Sequence, residues 1–503
     1  MVCVRDSHFS IAKEIEVCYV KSYHLPPVLR MSREDGTMQI FSSYKVRIAE
    51  SNQKISRGFI DTFELYRRAT DYFIERIREH WGSIFVQEMP EYKQIKATEE
   101  LCIRTKDRPD TPYDFSREFY KFPSYLRRAA ISHAYGAVSS YMTRLETWTE
   151  NRHGNAPGLP RAGKICPPLY RKNMFVRDKN NNLYRARIKV FIRNTWDWIE
   201  VKLRKSDVDY LERYCSYRTE HVPTLCRQNK KVWSLAFAFS EEVELKPKKT
   251  IDQQTIVSVD LGINSACVCS AMLSDGTIIG RHFLELPSEE DSLEHALGKI
   301  RNAQRHGARK MPGLWALARG INKAISIKTA RFIIEVALQH SADAIVMEYL
   351  DFHGKRYRQR LHMWKARYVQ EMVTAKAHRN GMRISRVCAR NTSKLAYDGS
   401  GRVRRDKDNY SMCTFRSMCK LPIKKKSRSS CEESPIDEYA GGKRYNCDLS
   451  ASYNIGARYF IREILKSVDE NQRRDILAKV PEFSHRSTCT LDSLIRLRAA
   501  LGS

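Results

Sequence analysis

Ile256-Val257-Ser258-Val259-Asp260-Leu261-Gly262-Ile263-Asn264 is an apolar run that ends in a carboxylate and a glycine. Its β-branched residues and the turn chemistry that follows predict a buried strand delivering Asp260 at its end. A second strand is expected over residues 266–272, closed by the turn Ser274-Asp275-Gly276. Ala344-Ile345-Val346-Met347-Glu348-Tyr349-Leu350 repeats the arrangement, with Glu348 toward its C-terminal side. Asp448-Leu449-Ser450-Ala451-Ser452-Tyr453-Asn454-Ile455-Gly456-Ala457-Arg458 reads as a helix with an acid in its first turn. Its small residues would let it lie close against a sheet.

Singly, each acid has an ordinary explanation. Asp260 could be a turn residue, Glu348 a solvated strand-end acid, and Asp448 an acid complementing a helix N-terminus. Together they are harder to dismiss, because converging carboxylates repel one another unless divalent cations lie between them. Two Mg²⁺ ions about 4 Å apart, with Mn²⁺ as a substitute, would activate a water on one side of a phosphodiester and stabilise the leaving oxygen on the other. Asp260, Glu348 and Asp448 are therefore the candidate catalytic and metal-binding residues.

The order and wording of these elements resemble the split RuvC nuclease domain, of the RNase H-like fold, in the TnpB and type V CRISPR effector superfamily. The resemblance rests on Asp260-Leu261-Gly262-Ile263, on Met347-Glu348-Tyr349-Leu350, and on Asp448 to Ile455, where the family usually has Asp-x-Asn-Ala-x-x-Asn-Ile. It extends to Trp364, Tyr368, Ala375-Lys376-Ala377 and Gly381 on an intervening helix. It implies a transposon-derived, RNA-guided endonuclease that cleaves DNA, with the three acids as its metal-binding triad. It also implies a guide RNA and a target DNA as partners. Over residues 1–250 only the layout is similar, a wedge-like β-barrel interrupted by a helical recognition domain.

The family usually carries a zinc ribbon opened by Thr-Ser-x-x-Cys-x-x-Cys. Here Thr392-Ser393 is in place, but Ala396 and Gly399 stand where the two cysteines belong. Tetrahedral zinc needs four ligands, so structural zinc is doubtful, with Cys413, Cys419 and Cys431 as the remaining weak candidates. The same region is strongly basic. Arg402, Arg404, Arg405, Lys424, Lys425 and Lys426 are placed to steer a single strand toward the acids. Arg301, Arg305, Arg309 and Lys310 precede a helix expected over residues 321–338 and could contact a heteroduplex backbone, and Trp364 is a candidate for stacking on bases.

Composition agrees with a nucleic-acid partner. The 503 residues carry a formal net charge of +30, from 88 Lys and Arg against 58 Asp and Glu. Such self-repulsion is best relieved by a polyanion. No run approaches the ~20 apolar residues of a spanning helix, so no membrane role is expected. A charged N-terminus and fourteen cysteines without an export signal suggest reduced thiols in a prokaryotic cytoplasm. Ile15 to Val20 suggests a strand, Asp35-Gly36 a turn, and apolar residues from Phe59 to Ile77 and from Asp114 to Tyr141 two helices. Alternation from Tyr184 to Phe191, Trp196 to Leu203 and Val232 to Phe239 suggests strands.

The expected fold is thus multidomain α+β. It has a wedge-like β-barrel (1–55 and 161–250) with a helical recognition insertion (56–160), followed by an RNase H-like (RuvC) α/β nuclease domain (251–390 and 446–503) with a basic target-loading insertion (391–445). Two alternatives share most of these features: a catalytically silent RNA-guided DNA-binding repressor, and a guide-independent RNase H-like nuclease or recombinase. Whether one copy or two bind each RNA is left open, a monomer being the simpler expectation.

Overall fold

The apolar positions between Phe59 and Ile77 fall on the buried side of a 27-residue helix, α1 (Gln53–Glu79). The computed structural model describes residues 29–31, 37–49, 53–152, 154–163, 165–170, 172–177, 182–228, 232–262, 266–350, 366–417, 438–479, 483 and 487–502. Ile15 to Val20 and Asp35-Gly36 lie outside them. The chain divides into two compact units, residues 29–31 with 39–242, and residues 37–38 with 243–502.

In the first unit, β1 (Leu29–Met31) and β2 (Thr37–Arg47) precede α1. The helices α2 (Glu91–Cys102), α3 (Phe115–Glu118) and α4 (Ser124–Asn151) follow. The single helix expected from Asp114 to Tyr141 is broken between α3 and α4, where Lys121 takes a positive φ of 56° and Pro123 caps the next helix. Then come β3 (Phe175–Val176), β4 (Arg185–Ile192), β5 (Thr195–Lys202), α5 (Lys205–Cys215), β6 (Thr219–Glu220), β7 (Thr224–Arg227) and β8 (Trp233–Glu244). α2 and α5 were not foreseen.

The expected β-barrel is not formed. The strands make two open sheets, β1-β2-β8-β6 with β7 also on β8, and β3-β4-β5. An isolated bridge, Ile48 to Leu203, joins the end of β2 to the residue after β5, and among the described residues no continuous ladder closes the strands. The reason is that helices cover the sheets. α1 lies so close to β4 that a Cβ on Gly58 would stand 2.7 Å from Ile192, and Phe191 N donates to Thr62 Oγ1 at 2.8 Å. Trp233 of β8 is fully buried against Phe59 and Phe63 of the same helix. Alternation in sequence reports one buried face per strand, and a helix can cover that face as well as a barrel interior can.

The second unit is mixed α/β. β9 (Thr255–Asp260), β10 (Cys267–Leu273) and β11 (Ile278–Leu284) form an antiparallel meander. The helices α6 (Pro287–Arg305) and α7 (Pro312–Gln339) lead to β12 (Ala344–Tyr349), and α8 (Ala366–Arg379) leads to β13 (Arg383–Cys388). β12 runs parallel to both β9 and β13, giving the order β11-β10-β9-β12-β13. A small antiparallel sheet, β14 (Arg404–Arg405), β15 (Met412–Thr414) and β16 (Arg444–Asn446), occupies the described part of the basic region. The helices α9 (Cys447–Ser467), α10 (Glu470–Lys479) and α11 (Leu491–Gly502) complete the unit.

One face of the large sheet packs on α7 and α8 through Val257, Val259, Ile345 and Met347. The other packs on α9 through Ile256, Val268, Met272, Ala344 and Val346. α9 approaches closely because its inner residues are small. Ser452 Oγ lies 2.5 Å from Ser270 Oγ, and a Cβ on Gly456 would meet Met272 at 3.0 Å and Ser258 Oγ at 3.1 Å. Gly456→Val should therefore cost about 1–3 kcal/mol of stability by overpacking. Gly298→Ala, in α6 with nothing within 4 Å of the added carbon, should be neutral or stabilise by about 0.4–1 kcal/mol. Chemical denaturation measures both.

Candidate functional site

Strand register places two of the three acids. Ala344 stands opposite Ile256 and Met347 opposite Val259 in the parallel β9–β12 pair, and Asp260 and Glu348 are the next residues on their strands. Since Val259 and Met347 face α7 and α8, the two-residue period turns Asp260 and Glu348 toward the α9 face. Asp448 lies in the first turn of α9, whose N-cap is Asn446 with its side chain accepting from Leu449 N at 2.8 Å. All three acids thus occupy the same end of the same face.

The electrostatics reflect that placement. Asp260 is 8% exposed and Asp448 9%. Burial pushes Asp260 well above the ordinary carboxylate range, and the charges of Glu348 and then Asp448 push it further. Glu348 and Asp448 are raised by burial as well. Arg405 of β14 opposes the shift at both Asp260 and Asp448. At Glu348 the opposing groups are Thr392, whose Oγ1 donates to Oε1 at 2.5 Å, and Arg458.

The supports reach beyond the acids. Gln370 Nε2 donates to the Glu348 carbonyl at 2.8 Å. Asn454 Nδ2 donates to the carbonyls of Thr392 and Leu395, both at 3.0 Å, which fixes the segment carrying Thr392 against α9. Arg458 is buried and donates to the carbonyls of Cys388, Arg390, Ser487 and Cys489. Tyr397, Phe415, Tyr445 and Tyr453 form a ring cluster that seats the small sheet on α9. Thr392, Asn454 and Arg458 were present in the quoted sequence without an assigned role, and the partners that reveal their role are distant in sequence.

The donor set is chemically suited to Mg²⁺, which takes hard carboxylate oxygens. Three acids opposed by two guanidiniums, those of Arg405 and Arg458, favour added positive charge. Among the described residues, however, no three His, Cys, Asp or Glu side chains stand close enough to hold one ion. Glu348 instead points its Oε1 at Thr392.

The other candidates are dispersed. Arg301, Arg305, Arg309 and Lys310 are exposed along α6 and the α6–α7 connection, Arg301 paired with Glu294. Arg404 lies over the Tyr439 ring, Arg402 is exposed, and Arg405 Nη1 donates to Tyr410 O at 2.9 Å. Cys413 is buried beside Cys447, its Sγ donating to Tyr445 O. Cys419, Cys431, Trp364, Lys424, Lys425 and Lys426 lie outside the described residues. No described helix is long and apolar enough to cross a membrane.

A family model described as the Aq_aa04 family matches residues 42–192, within the first unit. No curated protein matches the chain. Among solved structures it is similar to a Cas12f1–sgRNA–target DNA complex, at 13% identity over 69% of this chain and 75% of that one, with a TM-score of 0.40. It is also similar to CasPhi-2 (Cas12j) bound to crRNA, at 10% identity over 82% of this chain and 97% of that one, with a TM-score of 0.33. Alicyclobacillus acidoterrestris C2c1 in complex with single-guide RNA matches at 10% identity over 82% of this chain and 68% of that one, with a TM-score of 0.28.

A carboxyl whose folded pKa is raised binds protons that the unfolded chain has already released. Stability from that source is fully present below the unfolded pKa of about 4 and is lost as pH rises through the folded value. In EDTA, wild-type protein should therefore fall below Asp260→Asn in thermal midpoint as pH rises from about 5 to 8, and the two should converge near pH 4. Calorimetry across that range checks the sign.

Proposed function

We propose that the chain is an RNA-guided, divalent-metal-dependent DNA endonuclease whose active site is Asp260, Glu348 and Asp448. The observation that carries this reading is the convergence of the three acids, Asp260 and Asp448 buried and Glu348 partly so, on one end of one sheet face, with Asp260 feeling the charge of both others. The sequence resemblance in the three quoted motifs supports it, as does the net charge of +30.

Bound Mg²⁺ would supply an activated water and a stabilised leaving oxygen. The protein's own residues do the rest. Asp260, Glu348 and Asp448 would hold the ions, with Thr392 orienting Glu348 through its hydroxyl. Arg405, electrostatically coupled to Asp260 and Asp448, offers a guanidinium to a phosphate brought among the acids. The exposed bases of α6 and of the β14–β16 region would hold nucleic-acid backbone, while base pairing with the guide reads the sequence. Structural zinc is not required by this scheme.

A second reading, a silent RNA-guided DNA-binding protein, is favoured by the absence of a three-ligand cluster among the described residues. One experiment separates the two. The protein is purified with its native RNA, the RNA is sequenced, and the complex is tested on a target library in Mg²⁺. Specific cutting that Asp260→Ala or Glu348→Ala abolishes, with RNA binding intact, supports the nuclease. Specific binding without cutting supports the silent protein, and undiminished cutting by either variant overturns the site assignment. Thr392→Val should fall between, losing roughly 10- to 100-fold in cleavage rate, as removal of a ligand's hydrogen-bond partner typically does.

A further inference from the structure

The first unit contains a thiol pair unrelated to the acids. Pro168 and Thr224 form an antiparallel bridge, in which Leu169 N donates to Pro223 O at 2.7 Å and Leu225 N donates to Pro167 O at 3.1 Å. That pattern makes 168 and 224 a non-hydrogen-bonded pair. Counting two residues further along that register sets Cys166 opposite Cys226, and the two thiols are close enough to interact. A non-hydrogen-bonded antiparallel pair typically has Cα atoms about 4.5 Å apart, within the roughly 4.4–6.8 Å that a disulfide spans.

Local chemistry holds Cys166 in this place. A residue before proline is driven into extended backbone, and Pro167 follows it directly. The carbonyl of the preceding Ile165 accepts from Arg67 Nε at 3.3 Å. Cys226 is buried, at 6% exposure, while Cys166 is half-buried. The hydrogen bond from Cys226, with Arg67 and Lys45 nearby, outweighs burial and lowers the Cys166 thiol below its ordinary range. Cys166 is therefore the more nucleophilic partner. Two further cysteine pairs are placed differently: Cys413 and Cys447 are diagonal in register, because Cys413 stands opposite Tyr445, and Cys267 and Cys269 lie two residues apart on one strand.

We propose that Cys166 and Cys226 are a redox site that closes to a reversible cross-strand disulfide in response to hydrogen peroxide. The Cys166 thiolate attacks the O–O bond, giving a sulfenic acid and releasing water. The Cys226 sulfur then attacks the sulfenyl sulfur, forming the S–S bond and releasing a second water. Two thiols lose two electrons and two protons in total, and one hydrogen peroxide is reduced to two waters. The bridge would fasten the segment around Pro167 to β7, closing a loop of roughly 60 residues.

The test uses the full-length protein, fully reduced and then treated with stoichiometric hydrogen peroxide. Remaining thiols are alkylated, and peptides are mapped by mass spectrometry without reduction. The expected result is a linked Cys166–Cys226 peptide, two hydrogens lighter than its reduced parts and reopened by dithiothreitol. In Cys226→Ser, the stranded sulfenic acid on Cys166 should be trapped by dimedone. Both cysteines staying alkylatable while other thiols oxidise would overturn the proposal. So would Cys166 advancing to sulfinic acid in the wild-type protein with Cys226 still reduced.

Discussion

Three carboxylates at the end of an apolar sheet cannot be tolerated without compensation, and much of the second unit is arranged around that constraint. Burial alone would favour their neutral forms, and Asp260 bears the added repulsion of Glu348 and Asp448. What opposes this comes from elements distant in sequence: Arg405 from the small antiparallel sheet, and Thr392 and Arg458 at Glu348. With three acids set against two guanidiniums, the site still favours added positive charge. The proposed nuclease chemistry uses that preference.

Helix α9 is the element through which these constraints are joined. It carries Asp448 in its first turn, and its small residues allow contact with β10 at hydrogen-bond distance. Asn454 and Arg458, about two and three turns further on, bind the carbonyls of the segment that presents Thr392. Glu348 is oriented by that segment, so two acids on different elements are positioned by one helix. Side-chain amide and guanidinium groups suit this task because buried loop carbonyls must be paired, and one arginine can satisfy four of them.

The positive surplus is distributed differently from the acids. Arg301, Arg305, Arg309 and Lys310 are exposed on a helical hairpin with its own small core of Ala296, Ile300 and Ala318. Exposed bases are cheap to keep and favour nucleic-acid backbone without specifying sequence. Some basic side chains are held in contacts of their own, Arg301 with Glu294 and Arg404 over the Tyr439 ring.

The sequence by itself determined the strands ending in Asp260 and Glu348, the helix opening at Asp448, and the reason that helix lies close to the sheet. Each depends on periodicity and residue size over a few positions, which local sequence expresses directly. The alternating strands of the first unit were also legible, but their closure was not. Alternation shows that one face is buried, and only the tertiary structure decided that α1 covers it at Gly58 and Trp233 in place of a barrel interior. The same holds for the pairing of Thr392 with Glu348 and for Cys166 facing Cys226. Forty-four residues separate the first pair, and the second follows from a register that one bridge at Pro168 sets. Such contacts are products of chain-distant packing, for which a single sequence carries no local signal.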